Sequence, residues 1–268
     1  MITAGAPFSL IDLSHSLDSN IPSWDSDCGF HQAMVLDYCD ADEQAQFRVM
    51  RLQLNAGAGT HIDAPSHCIP GGKGVDDLNL NDLIMPCVVI DIADRADEAY
   101  CLSCDDITNF EQLHGIIGDG TAVIVKTGWA KFWHNPEKYR NNLRFPAVSI
   151  EAAQLLLQRG VAALGIDTLS SDRPDSGFPV HQVFLGAGKI LIENVANLDA
   201  MNPTGDFLMA LPLKIKHGTE SPVRLVGLRM NGGITTQDPI VDGIVQGLHE
   251  IRQGQSVKMT AMDIFNED

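Results

Sequence analysis

Residues 57–67 read GAGTHIDAPSH, from Gly57 to His67. Two imidazoles and a carboxylate, at positions 61, 63 and 67, stand beside three small residues. These are side chains that bind divalent metals, set in a very short space. The stretch continues FRVMRLQLN, Phe47 to Asn55, in which Met50, Leu52 and Leu54 alternate with Arg51 and Gln53. That period of two predicts a half-buried strand. If the extended backbone runs on, His61 and Asp63 point to one face, and Gly57, Asn55 and Gln53 share their parity. Pro65 cannot donate to a ladder and predicts the end of the strand. His67 lies past that turn, where it can swing back over the same face. The plainer alternative is a hydrogen-bonded strand histidine next to an aspartate that opens a turn.

Outward from this stretch, Cys87–Ile92 and Ala122–Lys126 are short β-branched runs bounded by Pro or Gly, and predict buried strands. Ser149–Arg159, SIEAAQLLLQR, predicts a helix with Ser149 as its cap and Gly160 as its stop. Strand patterns recur at Ala162–Asp167, Ile190–Val195, Phe207–Leu213 and Val223–Met230, and Ile240–Ile251 predicts a last helix. The elements are interspersed without strict alternation, which points to a mixed-sheet α/β fold and not to a barrel of eight repeats. No repeat, low-complexity tract or Pro/Ser-rich linker divides the chain, so one domain over residues 1–268 is expected.

The net charge of −17 makes nucleic acid and anionic membrane poor partners. No apolar run approaches the ~20 residues that span a bilayer. The first residues, MITAGAPFSLIDLS, lack a basic start and a long apolar core, and read as part of the fold and not as a signal peptide. A cytoplasmic protein is expected, and the six cysteines are expected as free thiols. Cys101-Leu-Ser-Cys104 has redox spacing without a second motif. There is no G-x-S-x-G elbow, phosphate loop or dinucleotide fingerprint.

A second cluster follows Val161–Ser171. His181 begins the apolar run HQVFL, and Glu193 sits inside ILIENVANL. A carboxylate within an apolar strand is costly to bury unless it is paired or bound to metal; the alternatives are an Asn194 or Arg partner, or an edge strand facing water.

With these residues in view, the chain resembles the metal-dependent hydrolases of the cyclase family, which includes bacterial kynurenine formamidase and isatin hydrolase. The family pattern H-x-G-T-H-x-D-x-P-x-H is matched by Gly59, Thr60, His61, Asp63, Pro65 and His67. Ile11-Asp-Leu-Ser-His15, Pro22-Ser-Trp24, Gly165-Ile-Asp-Thr168 with Ser170 and Asp172, His181 with Glu193-Asn194, and Ser221-Pro-Val-Arg224 extend the likeness along the chain. The resemblance implies a single α/β domain with a mixed, partly closed sheet of the swivelling β/β/α type, assembled as a homodimer or homotetramer. It implies that His61, Asp63, His181 and Glu193 bind a divalent metal, zinc or manganese. It also implies that His67 is the acid/base and that Trp24 lines the pocket of a small, aromatic amide, lactam or ester.

One position departs from the pattern. Where the family has its first histidine, a metal ligand, this chain has Gly57. Either a ligand has been lost, or the glycine makes room for a substrate or another side chain to approach the backbone closely. Depletion with one metal retained is the expectation; a small-molecule-binding relic that has lost metal and catalysis is the alternative.

Overall fold

The computed structural model describes residues 8–25, 27–40 and 46–230; the helix expected over 240–251 lies outside them. Contacts divide the chain into a large unit, Leu10–Arg229, and a small one made of Met1–Ser9 with Met230–Asp268. Of the small unit only residues 8, 9 and 230 are described, and they are strand ends.

The described chain opens with β1 (Phe8–Asp12). β2 (Phe30–Leu36) and β3 (Val49–Leu54) form a separate antiparallel ribbon. β4 (His61–Asp63) and β5 (Ile84–Asp91) follow. β6 (Cys101–Leu102) leads into helix α1 (Cys104–His114), then β7 (Ala122–Lys126) and the short α2 (Pro136–Arg140). β8 (Ala147–Val148), which pairs with β6, precedes α3 (Ile150–Gln158). Next come β9 (Ala163–Ile166), α4 (Pro179–Gly186) and β10 (Ile190–Glu193). β11 (Asp206–Met209), β12 (Glu220–Pro222) and β13 (Val226–Met230) complete the set.

Nine of these strands make one sheet, in the order β1-β13-β11-β5-β7-β9-β10-β4-β12. The β5-β7, β7-β9 and β9-β10 pairs are parallel, and each is connected through a helix, as parallel pairing requires. The pairs β11-β5, β11-β13, β10-β4 and β4-β12 are antiparallel. In that order β12 stands at one edge and β13 beside the other, yet only Val223, Arg224 and Leu225 join them. Such a link reaches at most ~14 Å, whereas seven strand spacings on a flat sheet cover ~34 Å. The sheet therefore curls until its edges approach: beyond β1 the Leu13 carbonyl accepts from the Ala196 N–H at 2.9 Å, just past β10, and the His15 N–H donates to Thr60 Oγ1 at 3.0 Å, just before β4. This is the mixed, partly closed α/β architecture expected.

Alternation sorts the side chains. Ile62, Ile124, Ile192 and Leu208 bury in one apolar cluster, and Val123, Val125, Leu164 and Leu191 in another. The second cluster is covered by Ile107 and Phe110 of α1, Ala152 and Leu156 of α3, and Val180 and Phe184 of α4. Each such aliphatic contributes ~1.5–3 kcal/mol when fully buried. The predicted helix caps as read: the Ser149 side chain accepts from the Ala152 N–H, and Gly160 has φ +77°.

The expectation of a half-buried strand over 47–55 is corrected. β3 forms, but Met50 is 44% and Leu52 56% exposed, with Met34 of β2 at 46%. The reason is topological, since the ribbon pairs only with itself, outside the nine-stranded sheet, and only its base, at Phe30 and Leu54, joins an apolar cluster. No described helix is long and apolar enough to cross a membrane.

Candidate active site

β4 carries the site. It is three residues long, all of them buried, and has a neighbour on each side. On β10, Glu193 stands opposite His61; on β12, Glu220 stands opposite Asp63. Opposed residues share a face, and His61 and Asp63 share one by the two-residue period. Four side chains therefore emerge together, while Ile62 turns to the core. His181 reaches the same face from α4, and Glu193 is not on an edge strand; its Oε1 accepts from the Ser171 N–H at 2.9 Å, while the Asn194 side chain donates to the Gly59 carbonyl at 2.9 Å.

Four donors close a ring. His61 Nε2 lies 3.4 Å from Asp63 Oδ1, and His181 Nε2 lies 3.6 Å from Asp63 Oδ2. Across from Asp63, Glu193 Oε2 is 3.6 Å from His61 Nε2 and Oε1 is 3.5 Å from His181 Nε2. These separations are long for hydrogen bonds. They suit two donors on one tetrahedral ion, because atoms ~2.0–2.2 Å from such an ion stand ~3.3–3.6 Å apart. Both Asp63 oxygens are buried and accept no hydrogen bond, which costs ~1–3 kcal/mol or more for each unless a cation faces it. The residues present fit a divalent ion: ligand atoms of His61, Asp63 and Glu220, and likewise those of Asp63, His67 and His181, lie within 4.8 Å of one another.

The outer ring nitrogens are fixed. His61 Nδ1 donates to the Gly59 carbonyl at 2.9 Å, and His181 Nδ1 donates to Asp172 Oδ2 at 2.8 Å, so each Nε2 faces inward. Asp172 also accepts the backbone N–H groups of Val180 and His181 in the first turn of α4, at 3.2 and 2.9 Å. Burial opposes charge on His181, yet the Asp172 hydrogen bond and the carboxylates of Asp63 and Glu193 outweigh it and push it up to about 11. Burial, joined by the Asp63 charge, pushes Glu193 up to about 7 against the pull of both histidines. Burial likewise resists ionisation of Asp63, but His181, His61 and His67 hold it below the usual carboxylate range.

His67 follows Pro65 in a single 3-10 turn. Its Nδ1 is 3.1 Å from Glu220 Oε2. The hydrogen bond to Glu220 is the largest influence on it and raises its pKa. The His67 and His181 rings are 5.9 Å apart. His61, Asp63, His67, His181, Glu193 and Glu220 line one pocket of about 500 Å³, whose wall includes Trp24, Leu169 and Phe178. Trp24 packs 5.8 Å from Phe178, ring to ring, and takes no part in the donor ring.

Gly57 reaches the site by a different path from strand parity. The ladder stops at Leu54 and resumes at His61; between them Ala58 N–H donates to the Asn55 carbonyl at 3.1 Å and Gly59 takes φ +66°. The position still faces the metal-capable side chains, since a Cβ there would stand 3.3 Å from His61 Nε2. The space is not empty: the same Cβ would lie 2.6 Å from Glu220 Oε1. Glu220 was outside the sequence expectation, although it directly precedes Ser221-Pro-Val-Arg224. Nothing local marks it, because only the β4-β12 register brings it opposite Asp63. Asp172 and Phe178 were likewise without an expected task.

Comparisons place this geometry among known proteins. A kynurenine formamidase of Geobacillus thermodenitrificans (strain NG80-2) is 32% identical over 216 residues, covering 80% of this chain and 94% of the relative. An isatin hydrolase of Roseibium aggregatum is 33% identical over 190 residues, covering 65% of this chain and 72% of the relative. The solved structure of isatin hydrolase A from Labrenzia aggregata bound to benzyl benzoate superposes with a TM-score of 0.76 at 29% identity, over 85% of this chain and 96% of that one. These relatives are hydrolases by name. The family model described as putative cyclase matches residues 11–173, and the chain belongs to that cyclase family.

Proposed function

We propose that this protein is a metal-dependent hydrolase of a small amide, lactam or ester, with an aromatic substrate such as an aryl formamide or an isatin-like ring. The observation that carries the reading is the ring of four buried donors lining the pocket, with Asp63 unpartnered at both oxygens. His61, Asp63, His181 and Glu193 would hold one divalent ion, zinc or manganese. When bound, such an ion polarises a carbonyl and lowers the pKa of water toward ~7. His67 commits Nδ1 to Glu220, which leaves Nε2 to take a proton from water and return it to the leaving nitrogen or oxygen. Trp24, Leu169 and Phe178 offer apolar surface to an aryl group beside these polar residues. The relatives named kynurenine formamidase and isatin hydrolase support the substrate class.

We further propose a homodimer or homotetramer, a reading supported by the exposed apolar residues of the β2-β3 ribbon.

The test is hydrolysis of N-formylkynurenine and of isatin by protein before and after chelation. Turnover of one of them that chelation abolishes and zinc or manganese restores is the expected result. Turnover indifferent to the chelator would overturn the metal reading, and metal-loaded protein inert on both would overturn the substrate class.

A further inference from the structure

We infer that Glu220 is a metal ligand of this chain, standing in for the histidine that the family pattern has at position 57, and that Gly57 is glycine so that the Glu220 carboxylate can occupy that place. The inference deepens the metal-dependent reading above and rests on it.

Three observations converge. Glu220 comes from the edge strand β12, a different element from the 57–67 stretch, and the β12-β4 register sets it opposite Asp63 on the site face. Its Oε1 lies where a side chain at 57 would begin, 2.6 Å from the position of a Cβ on Gly57; no non-glycine residue fits there without moving the carboxylate. Ligand atoms of His61, Asp63 and Glu220 lie within 4.8 Å of one another. Two carboxylates directly opposed across a ladder repel, and both Asp63 oxygens are buried without a donor. A divalent ion shared by Asp63 and Glu220 removes both penalties.

The two oxygens of Glu220 then divide the work. Oε1 lies beside Gly57, where it would reach the ion, and Oε2 accepts from His67 Nδ1 at 3.1 Å. A histidine at 57 supplies a neutral ligand to the ion; Glu220 supplies a negative one and also ties the ligand set to the acid/base, as a carboxylate behind an imidazole orients it. The exchange makes the site more anionic by one charge, which favours a hard oxygen-preferring divalent ion such as Mn²⁺ more than imidazole does.

The experiment is a double-mutant cycle on metal affinity, read by competition of Zn²⁺ and of Mn²⁺ against a chromophoric chelator, with Co²⁺ absorption as a second readout of the ligand set. Glu220→Gln and Glu220→Ala should each weaken metal binding by at least ~100-fold in the parent, and the Co²⁺ spectrum should change. Gly57→His alone should push the flexible Glu220 head aside and exchange one ligand for another, with affinity near that of the parent. In the Gly57→His background, Glu220→Ala should then cost less than ~10-fold. Two results overturn the inference and leave the metal reading standing: parent-like affinity and spectrum in both Glu220 variants while Asp63→Ala loses the ion, or equal losses on removing Glu220 in both backgrounds. Parent protein that takes up none of the three ions overturns the metal reading and the inference with it.

Discussion

Two regions of this molecule invert the usual arrangement of polar and apolar groups, in opposite senses. Around β4 a set of charged and metal-capable side chains is buried, with His61, His181 and Glu193 each 5% exposed and Asp63 1%. On the β2-β3 ribbon, apolar side chains face outward. Buried charge is tolerable only when compensated, and a contiguous apolar patch on a surface marks something that covers it. On the function proposed above, the first region takes a cation and the second a neighbour. The difference lies in how tightly each is built. The buried site is held from β4, β10, β12 and α4 by register and by hydrogen bonds to the outer nitrogens, whereas the ribbon is anchored at its base, where Phe30 and Leu54 join an apolar cluster, and is held beyond that by its own ladder.

The sharpest way to break the first region is Asp63→Ala, which removes the residue that faces both imidazoles. Metal affinity should fall by at least ~10³-fold, since loss even of a residue that merely supports a ligand typically costs 10–100-fold. The stabilisation that bound metal confers on unfolding should vanish with it. Thermal denaturation with and without Zn²⁺ checks this, and an unchanged metal-induced shift would show that the donor ring is only an ion-pair network.

His67→Ala should lower turnover by ~10²–10⁴-fold while metal content stays near that of the parent. Substantial loss of metal in that variant would make His67 a ligand, contrary to the division of labour drawn here.

His15 sharpens the comparison from outside the site. It is a half-buried imidazole stacked on Trp133, ring centroids 3.8 Å apart, with its Nε2 unpartnered. Where carboxylates push His181 up to about 11, burial and then the neighbouring His134 push His15 down to about 4. A folded-state pKa below the unfolded value near 6.5 means that the unfolded chain binds the proton more readily. Stability is then intact above about pH 6.5 and declines as pH falls toward about 4, by at most ~3 kcal/mol. Urea unfolding of metal-free protein at pH 7 and pH 4.5 should show this loss in the parent and not in His15→Phe; identical losses in both would remove His15 as the cause.

The smallest effect on the chain itself belongs to the ribbon. Met50→Glu with Leu52→Lys should change the stability of an isolated chain by less than ~0.5 kcal/mol each, as exposed substitutions do. Sedimentation should nevertheless show a shift to monomer. A parent that sediments as a monomer, or a variant whose assembly is unchanged, would leave the ribbon without the neighbour proposed for it.

Much of this was legible in the chain itself. Alternation and β-branched runs mark β5, β7, β9 and β10, and Ser149 with Gly160 bounds α3, because these signals depend on neighbours a few residues away. The local His-x-Asp pair at 61 and 63 shares a face whatever the rest of the fold does, since the pleat has a period of two. His67, placed past Pro65, and the distant pair His181 and Glu193 were reached through the family pattern, and the structure sets all of them around β4.

Tertiary structure decided the rest. Whether Met50 and Leu52 turn inward depends on a partner sheet that alternation cannot specify. Whether Gly57 is a gap or a concession depends on a carboxylate 163 positions later in the sequence, brought there only because the sheet curls and sets β12 against β4. The physical reason is common to both cases. Periodicity encodes which side a residue takes relative to its own strand, while strand order and register, which arise from contacts distant in the chain, determine what it meets there.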